Sequence, residues 1–408
     1  MLRILRLIIG FLRFDLWFVL YTIPIVGVLA KLLSSLLFFN PNKYKASGEK
    51  LVLFLTFNGV LFIKLGQVLA TRSDLFDQET LKQLIKLQDQ NKARPYHQIK
   101  KQLNKTWDQE QHWSLIDKIE EVAVASASIG QTHKVWLKSG QVLAVKVLHD
   151  NVIRDVKNDL RLLAMIVIIL QKLLPKRLKL KEVVTTLKQS VDFEVDLRLE
   201  AAACDEMREN SQDMAGIIVP HVFWPLTSAT TIATSWIDGY RIDNLPSHLQ
   251  NSIEKREVLR LLANSFFYHV FQYGFFHADL HAGNILITND GQVALLDFGI
   301  TGRLDPSTRY FMLELFHGFL VEDYQKVADV HFKTGYINNV EDIPSFAQAC
   351  RAIAKPMIHQ KQLSISVLLT QLFNITAIFN MYTQPQLLLL QKSLIIIEGI
   401  GQQLDPDC

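Results

Sequence analysis

The first 39 residues are mostly apolar, and their charges are Arg3, Arg6, Arg13, Asp15 and Lys31. At about 100° per residue, Arg3, Arg6, Gly10 and Arg13 fall on one narrow helical face, with Leu, Ile, Phe and Trp17 on the others. This pattern predicts a helix lying in a membrane interface with its arginines turned toward anionic headgroups. The uncharged run from Leu16 to Ala30 is shorter than the ~20 residues of a span, and Pro24 interrupts it. An interfacial anchor is therefore favoured over a transmembrane helix or a helix buried on its own protein. No small-x-small cleavage site follows, as a signal peptide would require. Asn40-Pro41-Asn42 ends the element. Leu51 to Ala70 reads as one helix whose second half carries Lys64-Leu65-Gly66-Gln67. Lys64, Gln67 and Thr71 share a face at i, i+3 and i+7. A lysine and a glutamine on an otherwise buried helix need partners, so this is either a solvated helix end or a cluster docked on acids elsewhere. Glu79 to Lys105 reads as mixed-charge, solvent-facing helix, broken at Arg94-Pro95.

The pattern then changes to short apolar runs. Ile119 to Val124, His133 to Lys138 and Val142 to Val147 read as strands, with Ser139-Gly140 as the turn between the last two. Before the second strand lies a loop of small residues, Ala125-Ser126-Ala127-Ser128-Ile129-Gly130-Gln131. Small side chains let backbone approach phosphates. Lys146 is a cation inside an apolar strand and calls for an anionic partner. Val152 to Leu174 is helical and Pro175 closes it. The cluster Lys172, Lys176, Arg177, Lys179 and Lys181 is a solvated face or a site for anionic lipid. A long helix is predicted through Asp192–Ala201, where Glu194 can pair with Arg198, while Asp196 and Glu200 repel at i, i+4. Unless this acidic face is simply solvated, repelling carboxylates imply a cation between them. Glu200 is assigned to Lys146, and Glu194 and Asp196 to the Lys64 and Gln67 cluster or to a metal. Ile217 to Trp224 and Thr230 to Ile237 read as strands, Asp238-Gly239 as a hinge, and Ile253 to Tyr273 as an apolar helix. Ile285 to Ile287, the turn Asn289-Asp290-Gly291 and Val293 to Leu296 form a hairpin. Phe311–Leu320 and much of Leu363–Ile400 are core helices, in which no residue proposes chemistry.

Composition narrows the class. A chain of 408 residues can bury a large two-lobed core. Its net charge of +3, with no long basic run interleaved with aromatics, excludes nucleic acid as the expected partner. A hydrophobic share of 49% is high for a cytosolic enzyme and agrees with a membrane-facing element. Cys204, Cys350 and Cys408 are odd in number, lack metal-ligand spacing and are expected to be reduced thiols.

The chemistry concentrates in Phe276-His277-Ala278-Asp279-Leu280-His281-Ala282-Gly283-Asn284, followed after the hairpin by Asp297-Phe298-Gly299. The hairpin should return Asp297 to the side of Asn284. An amide and a carboxylate are hard oxygen ligands suited to Mg2+. Asn284 and Asp297 are therefore the predicted metal ligands, and Asp279 the base or positioning carboxylate of a phosphoryl transfer. Asp-x4-Asn, a hairpin and Asp-Phe-Gly together resemble a protein kinase, and Ala144-Val145-Lys146-Val147 resembles the kinase strand whose lysine meets nucleotide phosphates and a helix glutamate. The expected fold is α+β: a protein-kinase-like two-lobed fold with an N-terminal helical extension. Its parts are a membrane-associating segment (1–45), a helical extension (46–118), an N-lobe with a helical insert (119–238) and a C-lobe (239–408).

Lys64-Leu65-Gly66-Gln67, the loop ending Ser128-Ile129-Gly130-Gln131, Glu194-Val195-Asp196, Phe276–Asp279 and Asp297–Gly299 occur in this order. Together they resemble the UbiB family of atypical kinase-like proteins, over roughly residues 1 to 406. The resemblance implies ATP and Mg2+ as cofactors, with Ala125, Ser126, Ala127, Ser128, Lys146 and Asn284 toward the nucleotide and Asp279, Lys146 and Glu200 as catalytic groups. It makes Lys64, Gln67, Glu194 and Asp196 a regulatory cluster that covers the protein-substrate cleft, which disfavours ordinary protein phosphorylation. It further implies ATPase activity in support of ubiquinone (coenzyme Q) biosynthesis, at the cytoplasmic face of a bacterial inner membrane or an equivalent organelle membrane. The implied partners are membrane lipids, anionic ones included, polyprenyl-phenol or quinone intermediates, and ubiquinone biosynthesis enzymes. No flavin fingerprint or oxygen-activating site supports the older label of 2-polyprenylphenol 6-hydroxylase. Ser126 interrupts the usual alanine run, and Leu280 and Ala282 stand where proline is common. Many bacterial relatives continue beyond Cys408 into transmembrane helices, so in a chain complete as written anchoring would rest on the N-terminus or on partners. The competing readings are a small-molecule phosphotransferase, which the KxGQ segment disfavours, and a nucleotide-binding pseudokinase scaffold, which the intact Lys146, Asp279, Asn284 and Asp297 disfavour.

Overall fold

In a computed structural model of the chain, residues 2–20, 40–70, 77–85, 87, 93–127, 129–173, 180–247, 249, 254–335, 341–359, 364–379 and 384–405 are described. The backbone divides into two units, one of Met1–Leu199 with Phe223–Ala233, the other of Glu200–Val222 with Thr234–Cys408.

The first unit begins with helix α1 (Leu2–Arg13). Its arginines contact the protein, although Arg6 and Arg13 stay exposed to solvent. Arg3 bonds Asp159 and lies 3.3 Å from Asp155, Arg6 donates to the Phe57 carbonyl, and Arg13 stacks over Phe14 and Phe57. Ile4, Leu5, Ile8, Ile9 and Leu12 are exposed as well. The arginines are recruited by acids and carbonyls remote in sequence, which leaves the apolar stripe facing outward. The remainder of the predicted run, Tyr21 to Ala30 with Pro24, lies outside the described residues, as do Thr71 to Asp74.

The predicted helix over Leu51–Ala70 is two helices, α2 (Ser47–Asn58) and α3 (Val60–Ala70). Gly59 separates them at φ +97°, a conformation closed to most side chains. Helix α4 (Gln78–Ile85) follows, then α5 (Tyr96–Thr106). Far from being wholly solvated, α5 buries Ile99 and Leu103 against Val135, Leu143, Val145 and Val147 of the sheet.

That sheet has five strands: β1 (Ile116–Ile119), β2 (Ala125–Ser126), β3 (Gly130–Leu137), β4 (Val142–Leu148) and β6 (Thr231–Ser235). Its order is β1-β3-β4-β6, with β2 also on β3. The predicted strand Ile119–Val124 is thus a bend between β1 and β2. The β3–β4 pairing is antiparallel and sets Thr132 opposite Lys146. Helices α6 (Val152–Leu173) and α7 (Leu180–Glu194) follow. The long helix expected through Asp192–Ala201 is broken, because Asp196 acts as the N-cap of α8 (Leu197–Asn210): its Oδ1 accepts the Arg198 N–H at 3.2 Å.

In the second unit, β5 (Ile217–Ile218), β10 (Val293–Leu295), β9 (Ile285–Ile287) and β7 (Tyr240–Arg241) form a sheet in that order. Strands β5 and β6 are shorter than the runs predicted for them, and Trp224–Leu226 is a 3-10 turn. The predicted hairpin is present, with Val293 opposite Ile287 and Leu295 opposite Ile285. Strand β8 (Phe275–His277) pairs with β11 (Thr301–Arg303). Helix α9 (Lys255–Tyr268) continues as one π-turn over His269–Tyr273 and packs Phe266 edge-on against Phe276 at 5.8 Å, so it lies beneath β8 and the loop that follows it. Helices α10 (Pro306–Leu320), α11 (Tyr324–Lys333), α12 (Asp342–His359), α13 (Ile365–Ile378) and α14 (Pro385–Leu404) complete the unit. Among the described residues no helix is long and apolar enough to cross a membrane. Cys204 and Cys350 are buried free thiols, and Cys408 lies outside the described residues.

Candidate functional site

The second unit assembles the loop after β8 and the end of the β9–β10 hairpin into one polar centre. Four hydrogen bonds do this. The His277 Nε2–H donates to the Leu296 carbonyl at 2.9 Å, while its Nδ1 accepts the Asp279 N–H at 3.1 Å. The Leu296 N–H donates to the Asn284 carbonyl at 2.9 Å. The Asn284 amide donates to the Asp279 carbonyl at 3.1 Å. His277 is therefore a tie, held neutral by burial, which pushes its pKa down. The ties bring Asp279, Asn284 and Asp297 together, as the spacing predicted.

Asp297 sits at φ +57°, a left-handed conformation uncommon for a residue with a side chain, and its Oδ1 accepts the Gly299 N–H at 3.2 Å. Strain of this kind persists where surrounding structure fixes a side chain's direction. Glu200 of α8 is only 8% exposed, and a Cβ built on Gly299 would lie 3.7 Å from its Oε2. It therefore stands beside the Asp297 turn. Asn284 and Asp297 suit a Mg2+ ion: the Asn284 amide nitrogen is committed to Asp279, which turns the hard carboxamide oxygen the other way. Among the described residues no set of three His, Cys, Asp or Glu forms a protein metal cage. Magnesium in nucleotide sites takes one or two such ligands and completes its shell with phosphate and water.

Asp279 has a partner that the sequence reading missed. Lys392 of α14 donates to its Oδ1 at 2.7 Å, and His281 Nε2 lies 3.9 Å from Oδ2. Burial alone would push the Asp279 carboxyl up, but the Lys392 ammonium, helped by His281, holds it below the ordinary carboxylate range. The C-terminal helices, read from sequence as core alone, thus contribute a side chain to this centre. The signal was available: Lys392 interrupts an apolar helix, the same argument that singled out Lys64 and Lys146.

In the first unit, the small-residue loop joins β2 to β3, with Ala125 opposite Thr132 and Ser126 opposite Gln131. Ser126 Oγ is buried and finds no hydrogen-bond partner among the described residues, which suits a hydroxyl awaiting a phosphate. The Ala127 N–H donates to the Gly130 carbonyl at 2.9 Å, closing the loop, and Ser128 lies outside the described residues. Lys146 is half-buried on β4 of this unit, whereas Glu200 belongs to the second unit.

Lys64 of the KxGQ segment reaches an acid at the end of α7. Lys64 Nζ lies 2.9 Å from Glu194 Oε1, with side chains 9% and 11% exposed. The predicted Glu194–Arg198 pair is replaced by this contact. Arg198 folds back on Asp196 instead, at 2.6 Å, because both flank the α8 N-terminus. The Asp196 carboxyl is held low by Arg198. Gln67 donates to the Leu87 carbonyl at 3.4 Å. Gly66 is required by close approach, since a Cβ there would lie 2.3 Å from Leu87 Cδ1 and 2.8 Å from Leu55 Cδ1. Of the predicted basic cluster, Lys181 is exposed, the side chain of Lys172 is not described, and Lys176, Arg177 and Lys179 lie outside the described residues.

A hairpin-bound Asp/Asn/Asp centre on a mixed α and β fold defines an atypical kinase-like protein. Comparison with known families agrees: residues 86–331 match the ABC1 atypical kinase-like domain, and residues 350–408 match the UbiB helical domain. A Shewanella denitrificans protein described as a probable protein kinase UbiB is 35% identical over 380 residues, covering 90% of this chain and 68% of that protein. The chain belongs to the UbiB family. Its fold also resembles the solved structure of Rv3197 from Mycobacterium tuberculosis, in complex with erythromycin, with a TM-score of 0.57 and 20% identity over 93% of this chain and 94% of that one.

Proposed function

We propose that this protein is a Mg2+-dependent ATPase acting at a membrane in support of ubiquinone biosynthesis. The observation that carries the reading is the joining of Asp279, Asn284 and Asp297 through the His277, Leu296 and Asn284 bonds. Asn284 and Asp297 would hold Mg2+, which would neutralise phosphate charge when bound. Ala125, Ser126, Ala127, Ser128 and Lys146 would meet the nucleotide. Asp279 would orient the attacking water. In hydrolysis the water oxygen bonds to the γ-phosphorus as the bond to the bridging oxygen breaks. ADP leaves with that electron pair, and the water proton passes to Asp279 or to solvent. The Lys64–Glu194 contact, in a family where such a contact covers the protein-substrate cleft, favours hydrolysis over phosphorylation of a protein.

The exposed stripe Ile4, Leu5, Ile8, Ile9 and Leu12 supports membrane docking by α1, with apolar side chains rather than arginines entering the interface. Docking would place the protein on the cytoplasmic face of a bacterial inner membrane, or an equivalent organelle membrane, near polyprenyl-phenol or quinone intermediates and the enzymes that process them. The test is ATP hydrolysis by the purified protein with and without anionic liposomes, beside Asp297→Asn. Hydrolysis that liposomes raise and the variant abolishes supports the reading. ATP binding without hydrolysis in both conditions sinks it and favours a scaffold.

A further inference from the structure

Helix α14 brings two consecutive side chains to the catalytic loop. Ser393, fully buried, donates to the Leu389 carbonyl and lies 3.4 Å from the His277 carbonyl. Lys392 donates to Asp279 at 2.7 Å while its side chain remains 49% exposed. Leu387, Leu390 and Leu394 bury the rest of that face. The helix is thus fixed, and the lysine projects from it over the loop. A half-exposed ion pair adds little to stability, so folding alone does not account for a lysine in this apolar helix.

Position gives an account. If Asp279 orients the attacking oxygen, that oxygen lies about one hydrogen bond from the carboxylate and about 3–3.5 Å from the phosphorus. An ammonium already 2.7 Å from the same carboxylate is one side-chain rotation from the oxygens of the phosphoryl group. It has three N–H donors, of which Asp279 takes one. In the transition state charge spreads over the three equatorial oxygens, and a cation aimed at them speeds the reaction. The other described groups facing this carboxylate are His281 at 3.9 Å and the His277 ring. Neither is a permanent point charge, as a lysine is.

We propose that Lys392 is a further catalytic residue, the cation that the C-terminal helix supplies to the phosphoryl group in transfer. In the nucleotide-free state it rests on Asp279. With ATP bound it keeps that carboxylate or leaves it, and in either case donates to a γ-phosphate oxygen. The ammonium transfers no proton and forms no covalent bond. The inference rests on the ATPase reading and deepens it.

The experiment uses the full chain with Mg2+. Affinities for ADP and for the non-hydrolysable imido analogue of ATP are measured for the native protein, Lys392→Met and Lys392→Arg, together with kcat for ATP. Lys392→Met keeps the apolar stem, and a thermal melt verifies its folding. The expected result in Lys392→Met is about tenfold weaker analogue binding with ADP binding within twofold, and kcat lower by about a hundredfold. Lys392→Arg should recover part of both. In an Asp279→Asn background Lys392→Met should still weaken the analogue. Equal affinities for both ligands in Lys392→Met and the native protein overturn the proposal. So does a kcat that rises, which would make the ammonium a block on Asp279, or an analogue effect that vanishes with Asp279→Asn. A native protein that binds neither ligand overturns the ATPase reading itself, and this inference with it.

Discussion

Replacing Lys64 by methionine tests whether the KxGQ segment is held by charge. The pair is separated by 2.9 Å and nearly withdrawn from water, at 9% and 11% exposure. With an effective dielectric of about 20, the attraction is about 6 kcal/mol, most of it cancelled by the desolvation of both ions. The net worth of the pair is therefore small, but the cost of halving it is not. Lys64→Met leaves the Glu194 carboxylate buried without its cation and should cost about 3–5 kcal/mol. The double variant Lys64→Met/Glu194→Gln removes both charges and should lie within about 1 kcal/mol of the native protein. Urea unfolding followed by tryptophan fluorescence reads this well, because Trp17, Trp107, Trp113, Trp136 and Trp224 belong to the first unit and Trp236 to the second. With a urea dependence of about 3 kcal/mol per M, the single variant should lower the midpoint by about 1–1.7 M. A single variant costing less than about 1 kcal/mol, or a double variant costing the sum of the singles, would refute the argument.

The remaining predictions concern packing, membrane docking, metal and pH. Gly66→Ala should gain about 1 kcal/mol in helix propensity yet lose about 1–3 kcal/mol to crowding against Leu87 and Leu55, so its urea midpoint should not rise. Ile8→Glu with Ile9→Glu should abolish sedimentation with liposomes, whereas Arg3→Ala should sediment as the native protein does but unfold more easily; the reverse pattern would restore the arginine-outward helix. Asp297→Asn should still bind ADP without metal but lose the gain in affinity that Mg2+ confers, which titration with and without chelator measures. Burial pushes the pKa of His331 down to about 4 from 6.5, at 2% exposure. The unfolded chain therefore takes up this proton first, and stability falls as pH drops from about 6.5 to about 4, by about 3 kcal/mol in full. Comparing unfolding at pH 7 and pH 4.5 should show most of that loss in the native protein and a smaller one in His331→Gln.

Local patterns in the chain were readable where the deciding partner lay close in sequence. The β9–β10 hairpin needs only Asn289-Asp290-Gly291 and two apolar runs, and it alone carries Asp297 back to Asn284. Helix breaks were less legible. Gly59 looks like any tolerated helix glycine until its φ of +97° is known, and Asp196 looks like a helical acid until it caps α8. The fate of an amphipathic face was not legible at all. Periodicity shows that α1 has an arginine face and an apolar face, but which one meets the protein depends on Asp155 and Asp159, more than a hundred residues away. Lys392 is the instructive case, because the physical cue was local and the partner remote. A lysine in an apolar helix must either reach water along its stem or find an anion, and the choice is set by what the fold brings opposite. Lys64 found Glu194 and Lys392 found Asp279. The first pair is buried and will behave as structure. The second keeps half of its lysine in water, so the ammonium is free to exchange one oxygen for another, as a group that meets a substrate must.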